Sequence, residues 1–133
     1  MNTIYNREAV ERCKTPKSLG QLNYTARNRA ETSMERTKTA VVKYCDVDSA
    51  KRNAAAASEH HSIAKAALIR IRSLAKEHGG KAWEDAVYYA TAHTAAAEHY
   101  ADNAHRVADE AAARHESLAD SLPATTGGAA CGH

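Results

Sequence analysis

Histidine is the residue type whose number and spacing in this chain most suggest chemistry, with eight copies in 133 residues. Asp102 and His105 lie three residues apart, so in a helix a carboxylate and an imidazole share one face. Helical metal sites use such pairs. If the segments on either side of Gly79-Gly80 fold against each other, one ion would lie between four ligands: His61, Glu98, Asp102 and His105. A metal-binding helical bundle is therefore an alternative function.

A structural interpretation of the same histidines is favoured. A carboxylate-bridged two-metal bundle repeats a Glu-x-x-His pair on two helices, and this sequence lacks that repeat. On this interpretation, His60 and His61 lie at the edge of the interior and hydrogen bond to Tyr100. We therefore expect no metal and no cofactor.

Motifs for catalysis are missing from the sequence. Besides Gly20 and Gly79-Gly80, the glycines occur only after Pro123, so neither a GxGxxG fingerprint nor a P-loop can form. Neither HExxH nor GxSxG occurs, and segments that favour strands are lacking. The sequence therefore predicts a protein that is not an enzyme.

Charge is distributed unevenly, although the net charge is only +2. Residues 1–52 hold 11 Lys and Arg against 6 Asp and Glu, whereas residues 81–133 hold 3 against 8. The two halves can neutralise each other within the fold, which is the favoured interpretation. The alternative is a nucleic-acid-binding accessory protein that uses the basic half. Its candidate residues are Arg27, Arg29, Arg36, Lys38 and Lys43.

A protein-binding surface is predicted on the first long helix, outside its apolar stripe. Arg and Tyr are favoured at the energetic centres of interfaces, because they combine large contact area with directed polar groups. The predicted partner-binding residues are Tyr24, Arg27, Lys38 and Val42. Charge reversal at Arg27 and Lys38 is expected to weaken binding without changing the melting temperature.

The composition predicts helices that form easily around a thin core. Hydrophobic residues make up 44% of the chain, but thirty of them are Ala and none is Phe. Ala is the strongest helix former and buries little apolar area. A homodimer or a protein partner would therefore help to cover the apolar faces.

The location predicted from the sequence is cytoplasmic. No apolar run approaches the length of a membrane span, and the first residues lack the apolar segment of a signal peptide. Cys13, Cys45 and Cys131 are odd in number and widely spaced, which favours reduced thiols over a disulfide framework.

Local signals predict where the helices begin and end. Thr15-Pro16 has the residue types of a helix start, and Gly79-Gly80 predicts a hairpin turn. Residues 46–49 offer several N-capping side chains, so a break is placed there, although one continuous helix from Pro16 to His78 is an alternative. The last helix should end before Pro123, with Tyr89 on one edge of its wide apolar arc.

These signals predict an all-α fold: a bundle of two or three long antiparallel Ala-rich helices with a short N-terminal helix. We expect residues 1–122 to form one helical domain and residues 123–133 to be a disordered tail. Antiparallel pairing at Gly79-Gly80 should bring three charged pairs together, as in coiled coils. These pairs are Lys76 with Glu84, Lys65 with Glu98, and Lys51 with Asp109.

The function that best fits these features is a non-enzymatic interaction protein that binds another macromolecule through its helix faces. Small helical proteins without catalytic motifs are common among phage and mobile-element inhibitors of bacterial defence, including anti-CRISPR proteins. That class is an expectation from frequency, since no motif of this chain resembles them.

Overall fold

The computed structural model of the chain describes residues 5–121, with side chains described as far as residue 118. These residues form an all-α bundle. Its helices are α1 (Arg7–Arg12), α2 (Pro16–Val42), α3 (Val47–His78) and α4 (Lys81–Ser121). The three long helices all pack against one another, and α1 packs on α3. The predicted fold class is confirmed. The predicted tail, residues 123–133, lies outside the described residues.

Side-chain caps start α2 and α3 near the predicted positions. Thr15 caps α2, with its Oγ1 accepting from the Ser18 amide at 3.1 Å, and Pro16 takes the first helical position. Asp46 caps α3, with its Oδ1 accepting from the Ser49 amide at 2.9 Å. Cys45 has φ 55, outside the helical region. The break between α2 and α3 is therefore confirmed, and the continuous helix is wrong.

The turn between α3 and α4 depends on two glycines. Gly79 and Gly80 have φ 67 and 98, a region that costs little without a Cβ atom. The Gly79 amide donates to the Ala75 carbonyl at 2.8 Å and closes α3. Trp83 is buried just beyond the turn and stacks on His78, with 5.8 Å between the ring centroids. The predicted hairpin is confirmed.

The core is made largely of alanine, and it differs between the two ends of the bundle. Near the Gly79-Gly80 turn it includes large buried side chains such as Leu19, Leu22 and Ile71. At the opposite end Met34 is the largest buried hydrophobic side chain, and the other buried hydrophobic residues of that cluster are alanines of α2, α3 and α4. Alanine lets helix backbones approach closely but removes little apolar surface from water.

The predicted charged pairs do not form, although their register is nearly correct. His61 Nε2 lies 4.0 Å from Glu98 Oε2, and His105 Nε2 lies 2.6 Å from Ser58 Oγ. Both contacts join positions of α3 and α4 that the hairpin was expected to bring together. Within residues 5–118, however, none of the three lysine–carboxylate pairs makes an ion pair.

The cysteines depart from the expectation of reduced thiols. Cys13 has a free thiol, whereas Cys45 is disulfide-bonded. Cys131 lies outside the described residues. The expectation is therefore wrong at Cys45, and a cytoplasmic location stays a prediction. Among the helices of residues 5–121, none combines the length and apolar character needed to cross a membrane.

Candidate functional site

Four aromatic rings lie side by side on the outer surface of α2 and α4. Tyr88, Tyr89 and Tyr24 are 73%, 59% and 48% exposed, and His93 is partly exposed. The ring centroids are 5.1 Å apart for Tyr24 and His93, 6.4 Å for His93 and Tyr89, and 5.3 Å for Tyr89 and Tyr88. We call these four residues the aromatic surface.

The helix packing accounts for this arrangement. Tyr89 and His93 are four residues apart and therefore lie on one face of α4. Tyr24 reaches His93 from α2 because the buried residues between the two helices are small. These residues are Ala26 on α2 and Ala90 and Ala97 on α4, all almost fully buried. The aromatic surface is thus built on two helices held at short range.

His93 contributes a neutral ring to the aromatic surface. Burial lowers its pKa below 6.5, and the nearby Arg27 charge lowers the pKa further. The imidazole is therefore uncharged near neutral pH. The aromatic surface is consequently apolar across its faces, with hydroxyl and imidazole groups at its edges.

A groove of about 370 Å³ runs beside the aromatic surface, between the first turns of α2 and α4. Tyr89 and His93 form part of its wall, and Asn23 lies among its lining residues. Lys17 and Asp85 also line the groove and carry opposite charges. We call this feature the α2–α4 groove.

Arg27, one of the predicted partner-binding residues, is already engaged within the fold. Its Nη2 donates to the Tyr100 hydroxyl at 2.8 Å, and its Nη1 donates to Asn28 and to Glu31. The guanidinium carbon lies 5.2 Å from the centre of the Tyr100 ring. The side chain is only 25% exposed. Arg27 therefore ties α2 to α4 and has few groups free for a partner.

The other predicted partner-binding residues do not gather at one place. Tyr24 belongs to the aromatic surface, whereas Val42 lies near the opposite end of α2, about 27 Å away along the helix. Val42 is 79% exposed, and Lys38 is partly buried. The four residues therefore do not form a single patch.

The basic residues of α2 are divided between its two flanks. Arg27 and Lys38 lie toward α4, as the Arg27–Tyr100 contact shows. The exposed residues Arg29, Arg36 and Lys43 follow one another at seven-residue intervals on the other flank. Arg29 places its guanidinium 4.2 Å from the centre of the Tyr5 ring. The five cations thus form a short row and a separate pair.

The four candidate metal ligands also fail to converge. His61 approaches Glu98, but His105 hydrogen bonds to Ser58 instead. Within the described residues there is no group of three or more His, Cys, Asp and Glu side chains that could hold a metal ion.

The expectation that the α3 histidines hydrogen bond to Tyr100 is wrong. His60 Nδ1 lies 2.8 Å from the Tyr5 hydroxyl, and Tyr100 pairs with Arg27. The reason is that α1 covers α3 on the side where His60 lies, away from α4. His60 is therefore part of the contact that holds the N-terminal segment.

Sequence reasoning missed two important residues. Tyr89 was expected at the edge of the apolar arc, but it is mostly exposed because α4 turns its alanines toward α2 and α3. Asn23 was not singled out, although it is fully buried. The tandem Tyr88-Tyr89 is a usable signal, since adjacent helical residues point about 100° apart and cannot both face a narrow core.

The comparisons with known proteins add no relative: no protein-family model, no curated protein and no solved structure matches the chain. The surface of the bundle therefore carries the evidence for a function.

Proposed function

We propose that this chain is a non-enzymatic interaction protein that binds a protein partner through the aromatic surface. The observation that carries the proposal is the run of Tyr24, His93, Tyr89 and Tyr88 across two helices, with its tyrosines about half exposed or more. Soluble proteins rarely leave contiguous rings in water unless the rings have a binding role. Tyr is also enriched among residues that dominate binding energy.

The scaffold under these rings suits binding. Tyrosine has few rotatable bonds, so holding it at an interface costs little conformational entropy. Each ring projects from a long helix and not from a loop, and contacts between neighbouring rings restrict their motion further. A partner would thus meet a surface that is largely organised before binding.

A nucleic-acid partner is the second candidate, and a different observation supports it. Arg29, Arg36 and Lys43 form an exposed row with a spacing of about 10.5 Å along α2. Such a row can contact phosphates, and its binding would weaken steeply with salt. We rank it second because three cations offer few phosphate contacts, and Arg29 already stacks on Tyr5.

The narrower class, an inhibitor of bacterial defence such as an anti-CRISPR protein, stays a prediction based on frequency. Identification of the partner decides it. Homodimerisation also stays a prediction.

Site-specific crosslinking in the native host tests the proposal. A photoreactive phenylalanine replaces Tyr88 in one variant and Ile69 in another, and mass spectrometry identifies the adducts. Ile69 is the matched control, because it is an exposed apolar residue of α3 at 57% exposure. We expect one protein to crosslink from position 88 and not from position 69. Crosslinking only from position 69, or only to nucleic acid from a third variant that carries the photoreactive residue at Arg36, would contradict the proposal.

A further inference from the structure

The six tyrosines of the chain fall into two groups, according to whether a cation lies over the ring. In three pairs a Lys or Arg lies over a tyrosine face, and these pairs are Arg29 with Tyr5, Arg27 with Tyr100, and Lys43 with Tyr44. The other three tyrosines are Tyr24, Tyr88 and Tyr89 of the aromatic surface. Within the described residues no Lys or Arg lies over these rings. A tyrosine face attracts cations through its ring quadrupole, and this surface leaves that attraction unused.

Tyr88 is the ring of this surface with the most open face. It is 73% exposed, the highest value among the three tyrosines. Its contact with Tyr89 is edge-to-face, with 87° between the ring planes, and one such contact covers at most one of the two faces of Tyr88. Tyr89, in contrast, also stacks on His93. Tyr88 therefore offers a ring face to a partner.

A carboxylate lies beside this open ring. Glu84 is exposed and precedes Tyr88 by four residues, so the two side chains share one face of α4 with about 6 Å between their Cβ atoms. Glu84 makes no ion pair within the part of the chain that the structure describes. The neighbouring Asp85 differs, because it pairs with Lys81 at 3.5 Å. Glu84 thus leaves a negative charge next to the Tyr88 ring.

The positive charges of α2 lie on the other side of the aromatic surface. Arg27 acts on His93, whose pKa it lowers, and Lys17 lines the α2–α4 groove. A cation from a partner is therefore favoured at the Tyr88 end of the surface, where the carboxylate lies, and disfavoured at the His93 end.

We infer that the partner places an arginine side chain over the open face of Tyr88, with its guanidinium paired to the Glu84 carboxylate. This inference rests on the proposed function for its protein partner and adds the chemistry of the anchor. A guanidinium is planar and weakly hydrated, so it stacks on a ring while its N–H groups point sideways to a carboxylate. The compact ammonium of lysine cannot make both contacts in this way.

The first test uses the whole chain with N-acetyl-argininamide as the probe, in a ¹H–¹⁵N NMR titration. We expect shifts at the amides of Glu84 and Tyr88. The citrulline analogue has nearly the same shape and no charge, and we expect it to bind about tenfold more weakly, since it loses both the ring attraction and the ion pair. Equal affinity for the two probes, or shifts confined to other surfaces, would overturn the inference.

Variants at the two positions separate the ring from general apolar contact. Tyr88→Phe keeps the ring and should leave probe affinity unchanged, whereas Tyr88→Leu keeps only an apolar side chain and should lower it about threefold. Glu84→Gln should also lower it about threefold. Glu116→Gln is the control, because it removes the same charge from another exposed position of α4. Equal affinity of the Phe and Leu variants, or equal effects at Glu84 and Glu116, would contradict the inference.

Calorimetry with the crosslinked partner separates this inference from the proposed function. We expect Tyr88→Leu and Glu84→Gln each to raise the dissociation constant about threefold, with circular dichroism showing that both variants fold. If neither raises it while Tyr88→Ala combined with Tyr89→Ala does, the proposed function stands and the arginine anchor is wrong. If the double variant also binds as tightly as the original chain, both fail.

Discussion

Asn23 of α2 and Thr94 of α4 form a buried hydrogen bond, with 2.9 Å between Nδ2 and Oγ1. Both side chains also donate to the Ala64 carbonyl of α3, so the three long helices meet at one polar point. The surrounding core is largely alanine, whose uniform shape allows helices to slide past one another. A directed hydrogen bond there fixes which residues face each other.

Replacement of Thr94 tests this role. We expect Thr94→Val to lower the free energy of unfolding by about 1–2 kcal/mol, since the shape is kept and hydrogen bonds are lost in a buried place. Urea unfolding measures the change. Thr91→Val is the control, because Thr91 is exposed and bonds only to Val87 of its own helix. Equal effects of the two substitutions would show that Thr94 does not hold the helices together.

Arg27 should contribute to stability, in contrast to the expectation from the sequence. Its bonds to Tyr100 and Glu31 predict that Arg27→Ala costs about 1–2 kcal/mol in the free energy of unfolding. The exposed Arg36→Ala should change that value by less than about 0.5 kcal/mol. A double-mutant cycle of Arg27→Ala with Tyr100→Phe isolates the pair. Zero coupling would contradict the observed contact.

Alanine at the helical Gly20 should raise stability, while the same change at Gly79 should lower it. Gly20→Ala removes the entropic cost of glycine and fills open space, a gain of about 0.5–1 kcal/mol. Gly79→Ala forces a Cβ atom into a backbone with φ 67, a loss greater than about 1 kcal/mol. Thermal unfolding compares them. A loss at Gly20 would mean that a neighbour does occupy the groove.

Acidification should destabilise the bundle through His60 and His93. Burial, together with the charge of Arg29 or Arg27, lowers both pKa values below 6.5. The unfolded chain therefore binds more protons once the pH falls below 6.5, and stability declines from there toward the folded pKa values. The urea concentration at the midpoint of unfolding should fall as the pH is lowered from about 7.5 to about 5. His60→Gln should flatten the decline, and an unchanged decline in that variant would contradict this account.

Short-range signals in the sequence predicted much of the fold. Thr15, Asp46 and Gly79 act on backbone groups within one turn, so their effect can be read without knowing the neighbours. The position of Tyr89 could not be read in this way. The alanine arc of α4 is too wide to define one buried direction, and packing against two helices decides which side chains face water.

The candidate site was less predictable for the same reason. Tyr24 was identified because it lies outside the apolar stripe of α2, but its ring partner His93, which also contacts Tyr89, lies about seventy residues later in the chain. Arg27 looked free because its hydrogen bond to Tyr100 crosses between helices. Contacts of this kind depend on helix rotation, which residue spacing leaves open in an alanine-rich bundle.

The dissociation constant of the crosslinked partner, measured by calorimetry with purified proteins, tests the central claim most directly. We expect Tyr88→Ala combined with Tyr89→Ala to raise it about tenfold or more, since exposed rings at an interface centre carry much of the binding energy. Ile69→Ala on α3 should leave it within about twofold. Both variants should keep the helicity of the original chain. An unchanged dissociation constant for the double variant, or a larger effect of Ile69→Ala, would show that the partner binds elsewhere.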